Sequence, residues 1–423
     1  MRHFLCTPNP PAAVSNGSTI VALYGRRLNT HQVGIGASLR EAVIRKRWPI
    51  PSQSWDFLSF TLSVLAADLS SPRSESPDGW TRELSLTISV TDADLWNAQA
   101  RALEEALAYL TTDRWSITFS PGGYQYQPKE PIGPLIEDCV ALLSGGLDSL
   151  VGMIDLVAEG HNPLAVSQLV AGDAAKQREI ATDLGRTTHL QLNHAAECPT
   201  PGEDSQRSRT LIFLAYAVLA ATATTRFQQA RAVPIYINEN GFIALNPPLT
   251  PMRIGSLSTR TAHPVFLQQL QAVLQAVGLN VALINPYALK TKGEMLTECA
   301  NQTVLSRWAS ATTSCGRYRR FGYKHCGRCI PCQVRRAAFL AWGQPDRTEY
   351  VFYPLGQNDD SHALFDDVRS LALAIITVEQ EGVQRFLGAS LSDRRIGDRA
   401  AMEAMVKRSM EELGALHRLL KVP

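Results

Sequence analysis

Six consecutive residues, Ser144-Gly145-Gly146-Leu147-Asp148-Ser149, carry the clearest chemistry in this 423-residue chain. They follow the apolar run Cys139-Val140-Ala141-Leu142-Leu143 and precede Leu150-Val151-Gly152-Met153-Ile154. A buried strand is expected to end in a glycine-rich turn from which a helix starts. That geometry aims several backbone N–H groups and a helix N-terminus at one spot, which is a phosphate-binding arrangement. Glycine serves where the backbone must approach the anion and φ must turn positive. The serine hydroxyls add donors. Asp148 is out of place in a nest for anions, unless it holds a Mg²⁺ that bridges phosphate oxygens. No G-K-[ST] follows the glycines, so chemistry of the Walker type that forms ADP is disfavoured.

A second constellation lies far downstream, Cys315-x10-Cys326-x2-Cys329-x2-Cys332. Tight C-x2-C turns let two thiolates grip one ion, and a fourth closes a tetrahedron with no open position, as in structural zinc sites. The alternatives are disulfides, which fit poorly because nothing points to export, and an iron–sulfur cluster on four thiolates. Zinc is the preferred reading. His325 could replace one cysteine as a ligand, or stand beside the site.

The hexapeptide resembles the PP-loop of the N-type ATP pyrophosphatases, which cleave ATP to AMP and pyrophosphate. Joined to the four cysteines and the Arg335 and Phe339 that follow them, it resembles the QueC family, the 7-cyano-7-deazaguanine synthases. Further matches are Lys176-Gln177-Arg178, Ser208-Arg209-Thr210-Leu211-Ile212-Phe213-Leu214 (with Thr210 where the family has Asn), Arg260-Thr261-Ala262-His263-Pro264-Val265-Phe266, and Pro286 through Lys292 to Glu294. The likeness covers residues 136–345, and long segments precede and follow it. The family's Asp-rich substrate segment is replaced by Glu239-Asn240-Gly241-Phe242-Ile243-Ala244-Leu245-Asn246-Pro247-Pro248-Leu249. By length, by the E-N-G…N-P-P-L-T segment and by S-T-R-T-A-H-P, this long form resembles the QueC-like proteins of bacterial anti-phage islands, the QatC group of the Qat system.

The resemblance implies ATP, Mg²⁺ and Zn²⁺ as cofactors, and a 7-deazaguanine carboxylate that is adenylated and then attacked by ammonia or by an amine of a partner protein of a defence operon. Ser144, Gly145, Gly146, Leu147, Asp148 and Ser149 would cradle the pyrophosphate of ATP. Lys176 and Arg178 would meet phosphates or substrate, or form surface ion pairs. Arg209 fits a phosphate or carboxylate clamp. Lys292 would stabilise charge as pyrophosphate leaves. Glu239 could accept two N–H bonds from a guanine-like edge, with Asn240 and Asn246 adding amide contacts or merely shaping turns. Arg260 and His263 could orient a substrate carboxylate, and His263 before Pro264 could equally be structural. Two rival readings are a PP-loop enzyme that modifies tRNA, and a nucleotide sensor or scaffold without catalysis.

These residues need a frame. Charged residues make up 19% and the net charge is +2, which favours no polyanionic partner. Arg317, Arg319, Arg320, Lys324 and Arg328 interleave with Tyr318, Phe321 and Tyr323. A solvated zinc loop is preferred there to a nucleic-acid contact. The N-terminus lacks an apolar signal core. The longest apolar run, Leu211 to Ala221, is too short to span a bilayer and reads as a buried helix. Cys6, Cys139, Cys198 and Cys299 show no pairing pattern, so a reducing cytoplasm is expected.

The alternation of strands at 138–143, 164–170, 188–192, 233–237 and 281–285 with helical stretches predicts a doubly wound parallel α/β sheet over 136–345, with ligand at the carboxyl ends of its strands. Residues 1–130 read as a separate α+β unit, either a partner platform or a stability extension. Strands are expected at 18–24, 83–90 and 115–119, a helix at 55–69, and a second helix capped by Thr91-Asp92 that runs to 110. Between them Ser71 to Gly79 reads as an exposed loop. Pro121 to Pro131 reads as a linker, and 346–423 as a helical extension with amphipathic helices at 360–387 and 399–420.

Overall fold

The fold is that of a computed structural model, which describes the whole chain except residues 12–16, 31, 171, 187, 199–201, 204–206, 250–259, 356–365, 389 and 423. Thr250, Ser258 and Thr259 of the motifs above, and residues 360–365 of the expected helix, lie outside the described residues.

Among the described residues ten strands form two parallel sheets. In the first, β1 (Arg2–Thr7), β2 (Thr19–Gly25), β3 (Gln32–Gly36), β4 (Glu83–Val90) and β5 (Arg114–Pro121) lie in the order β3-β2-β1-β4-β5. In the second, β6 (Cys139–Leu142), β7 (Pro163–Gln168), β8 (His189–Leu192), β9 (Val233–Tyr236) and β10 (Val281–Ile284) lie in the order β10-β9-β6-β7-β8. The second sheet is the doubly wound sheet expected from the sequence. Central β6 reads apolar because a parallel strand is covered on both faces.

The first sheet is parallel throughout, an arrangement that the α+β reading of this unit did not specify. Two of its strands, β1 and β3, escaped the sequence reading. β3 is a five-residue strand with two glycines, too short to show a period, yet all five residues are buried.

Helices Ser52–Leu69 and Arg209–Thr222 pack against each other, and their buried side chains join one continuous apolar core with residues of both sheets. That explains why both are buried nearly all round. Within the first helix, Ser59 and Ser63 donate to the carbonyls of Trp55 (2.9 Å) and Ser59 (2.7 Å), which satisfies hydroxyls that meet no water. Beyond Pro121, the last residue of β5, the segment to 131 has no regular structure but is not a free tether. Tyr124 and Tyr126 stack within 4.9 and 5.0 Å of Trp55, and Tyr126 donates to the Trp48 carbonyl.

The C-terminal extension is helical as expected, with helices Asp366–Glu381, Val383–Leu387 and Arg399–Leu419 around their own apolar cluster. Among the described residues no helix is long and apolar enough to cross a membrane.

Candidate active site

The chain leaves β6 at Leu142 and enters helix Leu147–Ala158 five residues later, and the intervening turn is built as its sequence demands. Gly145 takes φ +87°, and a side chain there would meet Asp173. The hydroxyls fold the turn on itself. Ser144 Oγ accepts from Gly146 N (3.1 Å), while Ser149 Oγ accepts from Ser144 N (3.2 Å) and donates to the Gly146 carbonyl (2.9 Å). The first amides of the helix, which no helix satisfies internally, face the turn.

Thr313 N donates to the Gly145 carbonyl (2.9 Å), which joins the segment before the cysteines to the loop. Lys176 stands beside this junction, 2.7 Å from Thr313 Oγ1 and 3.0 Å from Asp173 Oδ1. Arg178 is not brought to the loop; it donates to Gln191 at 3.1 Å on an exposed face. Side chains two apart on one helix point in different directions.

Asp148 lies in the first helical turn and is only 6% exposed. Lys292, the first residue of helix Lys292–Glu298, sits 2.6 Å from its Oδ1. Asn240 donates to Oδ2 from both its backbone N (3.1 Å) and its Nδ2 (2.7 Å). Asn240 also caps helix Gly241–Leu245 through Ile243 N, which fixes the substrate-like segment at its first turn.

Glu239 completes the cluster, hydrogen-bonded to Asp148. Burial alone would raise the Asp148 carboxyl. The Lys292 ammonium and the bonds from Glu239, Lys292 and Asn240 overcome that and bring it down to about 2. Glu239 moves the other way. Burial, then the charge of Asp148 and the bond to it, raise its pKa well above the ordinary carboxyl value. The cluster therefore favours the carboxylate at Asp148, beside Lys292, and the protonated form at Glu239, hydrogen-bonded to Asp148.

Two cavities meet here. One, about 270 Å³, is lined by Gly146, Leu147, Asp148, Lys292, Thr313 and Gly316, among others. The other, about 230 Å³, has apolar walls from Leu142, Val166, Phe213, Tyr216 and Ile237, with Arg209 and Gln168 at its rim. Ser144, Ser149, Asn238 and Glu239 line both. Arg209 donates to Gln168 Oε1 from Nε and NH2, each at 3.3 Å.

Asn238, Gln168 and Asp173 went unremarked in the sequence. Asn238 is 7% exposed, its amide packs on Gly152, and neither of its polar atoms has a hydrogen-bond partner.

Arg260 and His263 lie apart from the loop cluster. His263 caps helix Pro264–Ala276 by accepting from Val265 N and lies within 2.9 Å of Tyr109 Oη, while Arg260 covers the Tyr109 ring at 4.7 Å. His263 therefore fills the structural role in this arrangement.

The four cysteines converge and are all buried. Cys315 and Cys329 sulfurs stand 3.9 Å apart, as do those of Cys326 and Cys332. Four bonds of about 2.3 Å to one tetrahedral zinc would place sulfurs about 3.8 Å apart, so the donor set fits that ion. Backbone amides of Arg317 and Cys326 donate to Cys315 Sγ, and that of Cys329 to Cys326 Sγ, each at 3.3 Å. His325 is not a ligand; its Nε2 accepts from Ser314 N at 3.1 Å.

The N-terminal unit reaches the rim of the site. Gly34 of β3 exchanges backbone bonds with Glu197 (3.2 and 2.8 Å), and Gly36 N donates to the His194 carbonyl (2.7 Å), so the chain leaving β8 docks on that sheet's edge. Asp68 accepts from Ser208 N (3.1 Å) and Ser208 Oγ (2.6 Å), next to Arg209. Its other oxygen accepts from Arg82 (2.7 Å), which also binds Asp113, and Arg73 grips Asp113 with two bonds of 2.8 and 2.9 Å. Arg73 belongs to the Ser71–Gly79 segment read as exposed. It is 5% exposed, because Asp113 holds its guanidinium inside, and Ser71 is buried with it.

No family model matches the chain. Over 236 residues, half of this chain and 91% of the relative's, it is 29% identical to the 7-cyano-7-deazaguanine synthase of Agrobacterium fabrum. It is 27% identical to that of Synechococcus elongatus over 235 residues, covering 49% of this chain and 92% of the relative. The synthase of Ralstonia pickettii is 25% identical over 230 residues, 50% of this chain and 98% of its own. Half of this chain is thus similar to nearly whole synthases of that name, and the other half lies outside those alignments.

Proposed function

We propose that this protein is an ATP-dependent, AMP-forming enzyme that activates a 7-deazaguanine carboxylate and joins it to a nitrogen nucleophile. The observation that carries this reading is the meeting of a glycine-rich phosphate turn with the Lys292–Asp148–Glu239 cluster at two adjoining cavities. The similarity to synthases of a 7-deazaguanine nitrile names the substrate class.

A carboxylate is a poor electrophile because oxide is a poor leaving group. Attack of its oxygen on the α-phosphorus of ATP makes an acyl adenylate and breaks the bond to the β-phosphate, releasing pyrophosphate. Attack of a nitrogen at the carbonyl carbon then forms the C–N bond, expels AMP and releases one proton. The turn formed by Ser144, Gly145, Gly146 and Ser149 holds the pyrophosphate portion through backbone N–H groups. Leu147 only carries its amide. Lys176 extends this positive wall, and Arg209 clamps an anionic group at the neighbouring cavity.

Lys292 neutralises charge as pyrophosphate departs. Asp148 is the carboxylate that would hold Mg²⁺ arriving with the triphosphate; the ion would neutralise phosphate oxygens. Glu239, kept protonated by burial and by Asp148, presents an acid at the edge of the substrate cavity, and Asn240 holds the segment in place. The four cysteines would hold a structural Zn²⁺ that fixes the wall from Thr313 to Gly316.

The departures from the synthases extend the proposal. The altered segment after Glu239 and the two extensions favour a nucleophile other than free ammonia. An amine of a partner protein in an anti-phage operon of the Qat type, in a reducing cytoplasm, is the reading we adopt. The test is product analysis. Protein, Mg²⁺, ATP and 7-carboxy-7-deazaguanine are incubated with and without ammonium. AMP and pyrophosphate that depend on the carboxylate support the reading, and product mass separates amide, nitrile and protein conjugate. ATP turnover indifferent to the carboxylate would overturn it.

A further inference from the structure

Lys292 is gripped from behind by a residue of the C-terminal helix. Glu412, on helix Arg399–Leu419, accepts from the Thr291 hydroxyl through Oε1 and from Gly293 N through Oε2 at 3.2 Å. These are the two residues that flank Lys292. Thr291 is also the N-cap of the short helix that starts with Lys292. Its Oγ1 accepts from Glu294 N (3.0 Å), and Glu294 Oε2 accepts from Thr291 N (2.8 Å), a complete capping box.

Gly293 is the point of closest approach. A Cβ there would fall 2.4 Å from Glu412 Oε1 and 2.8 Å from Ala341 of helix Ile330–Trp342. The glycine lets both neighbouring helices touch the backbone beside Lys292. The same C-terminal helix holds Glu294 through Arg408 Nε (2.5 Å) and lays Met405 against Gly241, next to Asn240. The charged groups facing Glu412 are Glu294 from the capped helix and Arg408 from its own.

We propose that Glu412 is a positioning residue for catalysis: by binding both residues that flank Lys292 it fixes the ammonium against Asp148 in the phosphate cavity. The helical extension is then part of the catalytic frame. This inference rests on the assignment of Lys292 to the departing pyrophosphate. A misplacement of about 1 Å at a catalytic group lowers rates by up to about a hundredfold.

The full-length protein and its Glu412→Ala, Glu412→Gln and Lys292→Ala variants would be compared by amide hydrogen exchange at 291–294 and by carboxylate-dependent AMP formation. Glu412→Ala is expected to lose protection at Gly293 and to lower kcat by roughly tenfold or more, with KM for ATP nearly unchanged. Glu412→Gln keeps an acceptor for the Gly293 amide and should recover most of the rate and the protection. It is also the variant to rely on if the alanine protein does not fold. Wild-type kcat in Glu412→Ala beside an inactive Lys292→Ala would overturn the inference, as would a Gln variant whose protection is retained but whose kcat falls as far as that of Lys292→Ala. If the wild type forms no AMP, the functional reading fails by itself. The exchange data then decide alone, because unchanged protection at Gly293 in either Glu412 variant removes the contact on which the inference stands.

Discussion

The two sheets of this molecule are wound alike and serve differently. Each counts five parallel strands, and numbered from its own first strand each runs 3-2-1-4-5. In both, the order reverses beside the first strand, the place where open α/β sheets bind ligands. After β6 the chain reads Ser144-Gly145-Gly146; after β1 it reads Pro8-Asn9-Pro10-Pro11. Proline has no N–H to offer an anion and cannot take positive φ. One topology therefore carries a glycine-rich turn in one sheet and a proline-rich loop in the other, and the proposed phosphate chemistry depends on the loop. The first sheet acts instead through its edge and its buried charges, which hold the chain on either side of 194–208.

The largest effect expected in breaking this contrast comes from the metal site. Cys329→Ser should release zinc, measured as metal per chain, and lower the melting temperature sharply, because structural zinc binding is worth on the order of 10 kcal/mol in small domains. A variant that keeps its metal and melts as the wild type does would remove the cluster from the structure's support.

Next is Asp68→Asn in the N-terminal unit. It leaves Arg82 short of one buried partner and loosens Ser208, at a cost of about 3–5 kcal/mol in denaturant unfolding. If the first sheet braces the site, the variant also weakens whatever Arg209 binds. Unchanged ligand affinity and unchanged stability would make this sheet a bystander.

Asp148→Asn should come third, with AMP formation down at least about a hundredfold (near 3 kcal/mol) and little loss of fold. Asparagine is the choice over alanine, since its amide oxygen can still accept from the Lys292 ammonium. The matching change after β1, Asn9→Ala, should alter turnover by nothing measurable. A comparable loss in both would erase the distinction between the sheets.

The smallest expected effect is a dependence on pH. Glu239 has a folded pKa raised above its unfolded one, so the native state binds its proton more tightly. Its stabilising contribution is full below the ordinary carboxyl pKa and is lost as pH rises through the raised value. Glu239→Gln keeps a donor toward Asp148 without that loss. Its melting temperature relative to wild type should climb as pH increases above the ordinary carboxyl range. A difference flat from pH 4 to 9 would show that Glu239 titrates normally.

Local chemistry was legible where it is local. The Ser144–Ser149 turn and the four cysteines are specified within a few residues. Gly145 needs its φ of +87° whatever surrounds it, and C-x2-C turns bring sulfurs together by their own geometry. The five core strands were also readable, because a covered parallel strand must be apolar. β1 and β3 were not. β1 begins with the exposed Arg2 and His3 and β3 carries two glycines, so their burial comes from partners more than from pattern. The Ser71–Gly79 segment is exposed over most of Ser74 to Gly79, as its breakers predict, but they gave no sign that Ser71 and Arg73 are buried; the partner that buries Arg73 is Asp113, forty residues on.

What the sequence determined by itself, then, is the turn, the metal ligands and the parallel core, since each follows from backbone sterics, ligand spacing or burial along a short stretch. What only the tertiary structure decided is who stands beside Asp148. Lys292, the adjacent pair Glu239 and Asn240 and, one layer behind, Glu412 come from three separate segments. The proton on Glu239 and the charge on Asp148 are products of that meeting. Coulomb interaction and desolvation depend on distance in space, and separation along the chain carries no record of it.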